Sequence, residues 1–292
     1  MSLFPGFEER TVASHGAEIF LRIGGSGPAL LLLHGFPQTG AMWAPLAQRL
    51  AQHFTLVIPD LPGYGRSSKP DDAPDHAQMS KRRLAEQLVG LMGSLGFDQF
   101  RVVGHDRGAR VTHRLCLDHP ARVTRAAMLD IVPTRTVFET INQAVATAYY
   151  HWFFLIQPAP LPEWLIRADP DLYFERCLGG WGSALDAFGE DALAEYRAAW
   201  RDPAMIHCAC EDYRAAAGID LAHDRADAGQ RIACPLLVLW GAVGVVGRNY
   251  DVPAIWSEKA RVVQAAAVPG GHFLVEESPV ETLSALLPFL QA

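Results

Sequence analysis

Long apolar runs are missing from this sequence of 292 residues. The longest, such as PALLLLHGF, suit a strand and are too short to span a bilayer, so no membrane segment is expected. The N-terminus MSLFPGFEER has no charged start leading into an apolar run, which argues against a signal peptide. Blocks of basic residues are also missing and the net charge is −7, so nucleic acid is not an expected partner. Cysteine is sparse: Cys116, Cys177, Cys208, Cys210 and Cys234 make an odd count of five without zinc-type spacing. That usage points to reduced thiols and a cytoplasmic setting. Cys208 and Cys210 lie two apart, not in a C-x-x-C pair, and read as buried thiols with no metal implied. Internal repeats and low-complexity tracts are absent as well.

What is there is enough apolar material for a large single core, since 50% of the residues are hydrophobic. EIFLRIGG, PALLLLHG, FTLVIPD, FRVVGHD and VTRAAMLDIVP read as strands, followed late in the chain by CPLLVLWG and ARVVQAAAVPGGHF. Between them, KRRLAEQLVGLMGSLG carries Leu84, Leu88, Leu91, Met92 and Leu95 at helical spacing, with Gly96 as a C-terminal stop. RGARVTHRLCLDHP reads as a helix ending before Pro120, and SPVETLSALLPFLQA as a closing helix. Strands without alternation, separated by helices, imply an α/β fold with a mostly parallel sheet covered on both faces. The rhythm breaks after Pro133 into a helical, aromatic stretch around AYYHWFFLIQPAPLPEWL. The expected organisation is a core in two parts, 1–136 and 219–292, with a helical cap over 137–218. A cap of that kind would lie over the C-terminal ends of the strands, where such sheets place their sites.

Gly104-His105-Asp106-Arg107-Gly108 has the form G-x-nucleophile-x-G between a strand and a helix, with aspartate at the nucleophile position. The flanking glycines suit a sharp turn where side chains would strike neighbouring backbone. The helix start then favours a carboxylate through its free N–H groups and positive dipole end. Taken alone the pentamer also fits an aspartate capping an ordinary strand-to-helix turn. HGFP upstream and GGHF downstream decide for a reactive corner. The amides of Phe36 and Arg107 fall where an oxyanion hole is built. His34 reads as a support of its loop, and DLPGYGRSS as a tight turn behind the site. His272, late in the chain, is placed to act as general base. The loop GAVGVVGRN after LLVLW carries no acid until Asp251, so Asp130, at the end of the preceding strand, is the expected partner of His272, with Asp251 the alternative.

The run LLLLHGFPQT, DLPGYGRSSKP, GHDRGARV, LDIVPT, YHWFFLIQPAPLPE, EDYRA and GGHF resembles the haloacetate dehalogenases of the α/β-hydrolase fold, of the fluoroacetate dehalogenase type, over nearly the whole chain. The resemblance implies an α/β-hydrolase fold with an inserted helical cap. Asp106 would be the nucleophile, His272 the base and Asp130 its acidic partner. Arg107 and Arg110 would hold the substrate carboxylate; His151, Trp152 and Tyr213 would receive the halide; Trp181 would line the pocket. It also implies a homodimer and the absence of any metal or organic cofactor. Epoxide hydrolases share HGFP and an aspartate elbow but typically carry tryptophan where this chain has Arg107. A catalytically silent binding protein on the same fold is the reading outside enzymes. The loop WGAVGVVGRNYDVPAIW is the stretch expected to alter the pocket rim or a subunit contact.

The chemistry explains the residue types. A carboxylate displacing halide from a 2-haloacetate brings two anions together, and guanidinium forks can offset that at roughly 1.5–3 kcal/mol per charge-assisted hydrogen bond. Arg107 and Arg110, three apart, lie on one face of the helix start, where the dipole disfavours cations unless an anion is near. Aspartate leaves an ester that water can hydrolyse, whereas serine would leave an ether. Fluoride departs poorly without donors to replace its water, which His151, the Trp152 indole and the Tyr213 hydroxyl can supply. Tyr149, Tyr150, Phe153 and Phe154 read as packing around them.

Overall fold

The computed structural model describes residues 2–292. The strands are β1 (Glu8–Ser14), β2 (Ala17–Gly25), β3 (Ala29–Leu33), β4 (Thr55–Pro59), β5 (Phe100–His105), β6 (Val123–Leu129), β7 (Leu236–Gly241) and β8 (Val263–Val268). They form one sheet in the order β1-β2-β4-β3-β5-β6-β7-β8. β1 with β2 and β2 with β4 are antiparallel; every other pairing is parallel. The central β3, ALLLL, is buried along its whole length, as a strand covered on both faces must be. β1, EERTVAS, was not anticipated from sequence. It is a largely exposed edge strand, so its polar side chains carry no core pattern.

The helices Lys81–Ser94 and Asp106–Asp118 pack on each other and on the sheet. Ser80 starts the first by accepting a hydrogen bond from the Arg83 amide at 3.3 Å. The second starts directly from the end of β5. Between β6 and β7 the chain is helical from Thr134–Thr140 to Ile219–Ala226, with no strand among the described residues. The stretch 137–218 lies inside this insertion. Because β3, β5, β6, β7 and β8 run parallel, the loops after their C-terminal ends meet on one edge of the sheet. His34, Asp106, Asp130 and His272 all follow such ends. Among the described residues no helix is long and apolar enough to cross a membrane.

Candidate active site

Asp106 sits at φ +45°, in the left-handed region. Such a conformation costs a non-glycine residue roughly 1–3 kcal/mol and persists only where neighbours enforce it. The neighbours here are close backbone. A Cβ on Gly108 would lie 2.4 Å from the His34 carbonyl oxygen, and one on Gly104 would lie 2.5 Å from that of Gly108. The two glycines therefore allow β5, the turn and the helix to close on one another and push the Asp106 carboxylate out of the sheet. The Phe36 amide donates to Asp106 Oδ2 at 3.0 Å. Burial works against the ionised form of Asp106, but His272 and Arg110 outweigh it and hold the carboxyl below its usual range.

Asp130, also left-handed at φ +51°, receives the Gly241 amide on Oδ1 at 3.0 Å and faces His272 Nδ1 through Oδ2 at 2.5 Å. With Nδ1 committed to Asp130, Nε2 of His272 is left for proton transfer. Burial disfavours a charged imidazole, yet the hydrogen bond and charge of Asp130 prevail and raise the His272 pKa above its ordinary value. Asp251 is elsewhere engaged: it caps the helix Val252–Lys259, accepting from the Ala254 amide at 3.1 Å.

The remaining expected residues close around Asp106. His151 stacks on Phe36, with ring centroids 5.7 Å apart, and Tyr213 meets Phe36 edge-on at 5.2 Å. Trp181 lies against His151 and stands perpendicular to His272, with its indole N–H spent on the Ala148 carbonyl at 2.8 Å. Trp152 is buried beneath Tyr149, and Arg110 lies over its ring at 4.6 Å. Burial lowers the His151 pKa to about 3, so its imidazole is neutral. Tyr149 is buried, Phe153 and Phe154 are partly buried, and Tyr150 is exposed.

The arginines differ from each other. Arg110 Nη1 donates to the Val132 carbonyl at 3.1 Å and to Thr134 Oγ1 at 3.0 Å, while its Nε has no protein partner. Arg107 is fully buried, and its Nε–Nη2 fork grips a carboxylate of the protein itself. Nε donates to Asp212 Oδ2 at 3.0 Å; Nη2 donates to Asp212 Oδ1 and, at 2.8 Å, to the Asp212 carbonyl. Only Nη1 is unpartnered. A paired fork on the substrate from Arg107 is thus replaced by a single free nitrogen. Sequence reasoning missed Asp212, which neighbours Tyr213 on the helix Pro203–Ala217, and missed its other partners, Lys81 and Tyr64. Tyr64 belongs to the DLPGYGRSS loop, so that loop is more than a turn behind the site. Its carbon-rich ring gave no hint of a buried acid across from its hydroxyl.

His34 supports its loop in neutral form: Nδ1 faces the Gly35 carbonyl at 3.0 Å and Nε2 accepts from the Leu61 amide at 2.9 Å. Cys208 and Cys210 are buried free thiols. Among the described residues Asp72, His207 and Glu211 bring metal-type donor atoms within 4.8 Å of one another. Both ring nitrogens of His207 are hydrogen-bonded to carboxylates there, and the group shares no residue with the constellation around Asp106.

The chain is similar to known proteins along nearly its whole length. The family profile of the alpha/beta hydrolase fold matches residues 28–279. A fluoroacetate dehalogenase of Burkholderia sp is 49% identical over 289 residues, covering 99% of this chain and 95% of that one. A soluble epoxide hydrolase of Corynebacterium sp. (strain C12) is 32% identical over 272 residues, 91% of each. A crystal structure from Nostoc sp PCC 7120, ascribed to the alpha/beta hydrolases, superimposes with a TM-score of 0.97 at 54% identity, covering 98% of this chain and 99% of that one. Together with the strand order and the acid-bearing elbow, these likenesses make the chain a member of the α/β-hydrolase fold family, in the part of it that includes a fluoroacetate dehalogenase.

Proposed function

We propose that this chain hydrolyses 2-haloacetates to glycolate and halide through an ester on Asp106. One observation carries the reading: two buried guanidinium nitrogens, Arg107 Nη1 and Arg110 Nε, have no protein partner beside an anionic nucleophile. A buried charged donor left unpaired costs about 1–3 kcal/mol or more, so the pair is suited to an anion brought in with the substrate. A carboxylate held there presents its α-carbon to Asp106. An oxygen of the Asp106 carboxylate displaces halide from that carbon, forming a C–O bond as the carbon–halogen bond breaks. His151, Trp152 and Tyr213 receive the departing halide. Water then gives a proton to His272 Nε2 and adds to the Asp106 carboxyl carbon. The Phe36 amide, already on Oδ2, and the Arg107 amide steady the oxyanion, and glycolate leaves with the proton. Asp130 keeps His272 in the required tautomer. The reaction asks for no metal or organic cofactor.

The fluoroacetate dehalogenase of Burkholderia supports the substrate class, and the epoxide hydrolase of Corynebacterium keeps the rival within the same ester chemistry. A neutral epoxide offers the two free guanidinium nitrogens an ether oxygen but no negative charge to offset their burial, which favours the haloacetate. Asp106 at the elbow and the His272–Asp130 pair support an enzyme over a silent binding protein. The helical insertion is taken to work as a cap, with 137–218 as its extent. We further propose a cytoplasmic homodimer; the row Leu161, Trp164 and Leu165, exposed on one helix of the insertion, is an apolar face that a second copy would cover. The test is halide release from fluoroacetate and chloroacetate beside diol formation from a neutral epoxide. Release of halide with no epoxide turnover supports the proposal, and the opposite result overturns it.

A further inference from the structure

The Arg107–Asp212 pair poses a physical question. Arg107 stands in the first turn of the helix Asp106–Asp118, where the dipole disfavours a cation, and its side chain is wholly buried. Asp212 is equally buried, yet it receives four donors: Arg107 Nε and Nη2, Lys81 Nζ, and the Tyr64 hydroxyl at 2.7 Å. Burial alone would push its carboxyl up, but Arg107 and then Lys81 hold it far below the ordinary range. Lys81 is buried too. Its Nζ lies 3.5 Å from Asp220 Oδ2, and its own amide donates to Asp220 Oδ1 at 2.9 Å. An alternating row results, Arg107–Asp212–Lys81–Asp220, which crosses from the elbow helix to the insertion, to the start of the helix Lys81–Ser94, and back to the insertion.

The row leaves Arg107 with one orientation. A guanidinium has five N–H groups; those on Nε and Nη2 are bonded to Asp212, and only Nη1 remains. The Tyr213 ring, whose centroid lies 4.2 Å from the guanidinium carbon, covers one face and favours this orientation. Without Asp212 the Arg107 guanidinium would be free to pair with Asp106, the adjacent residue, whose carboxylate already feels its charge. A guanidinium paired with that carboxylate would draw charge from the nucleophile and block the carbon's approach.

We propose that Asp212, braced by Lys81 and Tyr64, is a positioning residue that aims Arg107 Nη1 at the substrate carboxylate and keeps the guanidinium off the nucleophile. This rests on the haloacetate reading above. The role has a signature that simple cap-to-core attachment lacks. Ester formation depends on the free Asp106 carboxylate and on a substrate oriented by the Arg107 side chain, whereas ester hydrolysis depends on His272, Asp130 and the backbone amides of Phe36 and Arg107, which Asp212 does not touch. Losing Asp212 should therefore slow the first step and spare the second.

The experiment uses the full chain with chloroacetate, compares wild type with Asp212→Asn and Tyr64→Phe, and follows single-turnover halide release, ester hydrolysis and competition by acetate. Wild-type halide release comes first; its absence would refute the haloacetate reading itself, independently of Asp212. Given that release, Asp212→Asn should slow ester formation and weaken acetate binding by about tenfold or more, the worth of one charge-assisted hydrogen bond. Ester hydrolysis should stay within about twofold. Tyr64→Phe, which removes one donor to Asp212 and leaves the packing, should shift the same two quantities by a smaller factor, and it stands as the test if Asp212→Asn does not fold. Asp212→Glu should restore part of the acetate affinity. Equal loss in both chemical steps, or no change in ester formation and acetate binding in a folded variant, would overturn the proposal.

Discussion

Trp181 stands perpendicular to His272, with ring centroids 5.2 Å apart, and its carbonyl oxygen accepts the His272 amide at 3.2 Å. One residue of the insertion thus walls the space in front of the base and also fixes the base's backbone. Trp181→Ala should enlarge that space. Relative to wild type, kcat/KM for chloroacetate should fall by about tenfold or more as the substrate loses its alignment. Activity on 2-chloropropionate should fall less, so that the ratio between the two substrates shifts toward the larger one. Steady-state kinetics on both compounds measure it.

Removing the base separates the two halves of the reaction. His272→Ala should still release one halide per chain in a burst, followed by steady turnover lowered by roughly 10²–10⁴-fold. Mass spectrometry of the digested protein should find one carboxymethyl group on the peptide carrying Asp106. Its presence on any other residue would contradict the assignment of the nucleophile.

The two titrating groups give opposite expectations for acid. Asp106 is held below its usual range, so ester formation should be flat between about pH 5 and 9. His272 must be neutral to accept a proton from water, and its pKa is raised above 6.5. Ester hydrolysis should therefore rise with pH through a midpoint above 6.5, and below it the ester should accumulate. Rapid-mixing halide bursts across that range check both limbs; a burst phase that itself falls with acid would exclude this account.

Glu276 supplies a separate pH effect on stability. It is buried, with the Tyr196 hydroxyl on Oε1 at 2.9 Å and Gln38 Nε2 on Oε2, and burial raises its pKa from 4.5 to about 8. Gln38 Oε1 is buried without a partner, and turning that amide over would let it accept the Glu276 proton. The folded chain holds a proton that the unfolded chain releases above 4.5. The stability from this group is full below 4.5 and is lost as pH rises toward about 8. Glu276→Gln should flatten the fall in Tm over that interval and raise Tm at pH 8. Thermal denaturation of both proteins across the range measures it.

Much of this molecule could be read in its sequence because its signals are local. HGFP, GHDRG and GGHF are consecutive residues, and each lies at the end of a parallel strand, so the fold brings them together without further information. Asp130 was readable through the lack of an acid in GAVGVVGRN. Asp212, Lys81 and Tyr64 were not. They lie on three separate elements, and each has an ordinary local explanation: a charge on a helix, a residue of a helix start, an aromatic in a glycine loop. Their meaning arises only from burial, which no short motif encodes. β1 escaped for the reverse reason, since an exposed edge has no apolar pattern to follow.

The left-handed backbone at Asp106 and Asp130 has a consequence for any attempt to harden this enzyme against heat. Glycine tolerates that geometry at no steric cost. Replacing Asp106 with glycine should relieve local strain and electrostatic crowding while erasing turnover. Endurance and chemistry thus compete at the same peptide unit, and selection for thermal tolerance alone would drift toward inert variants.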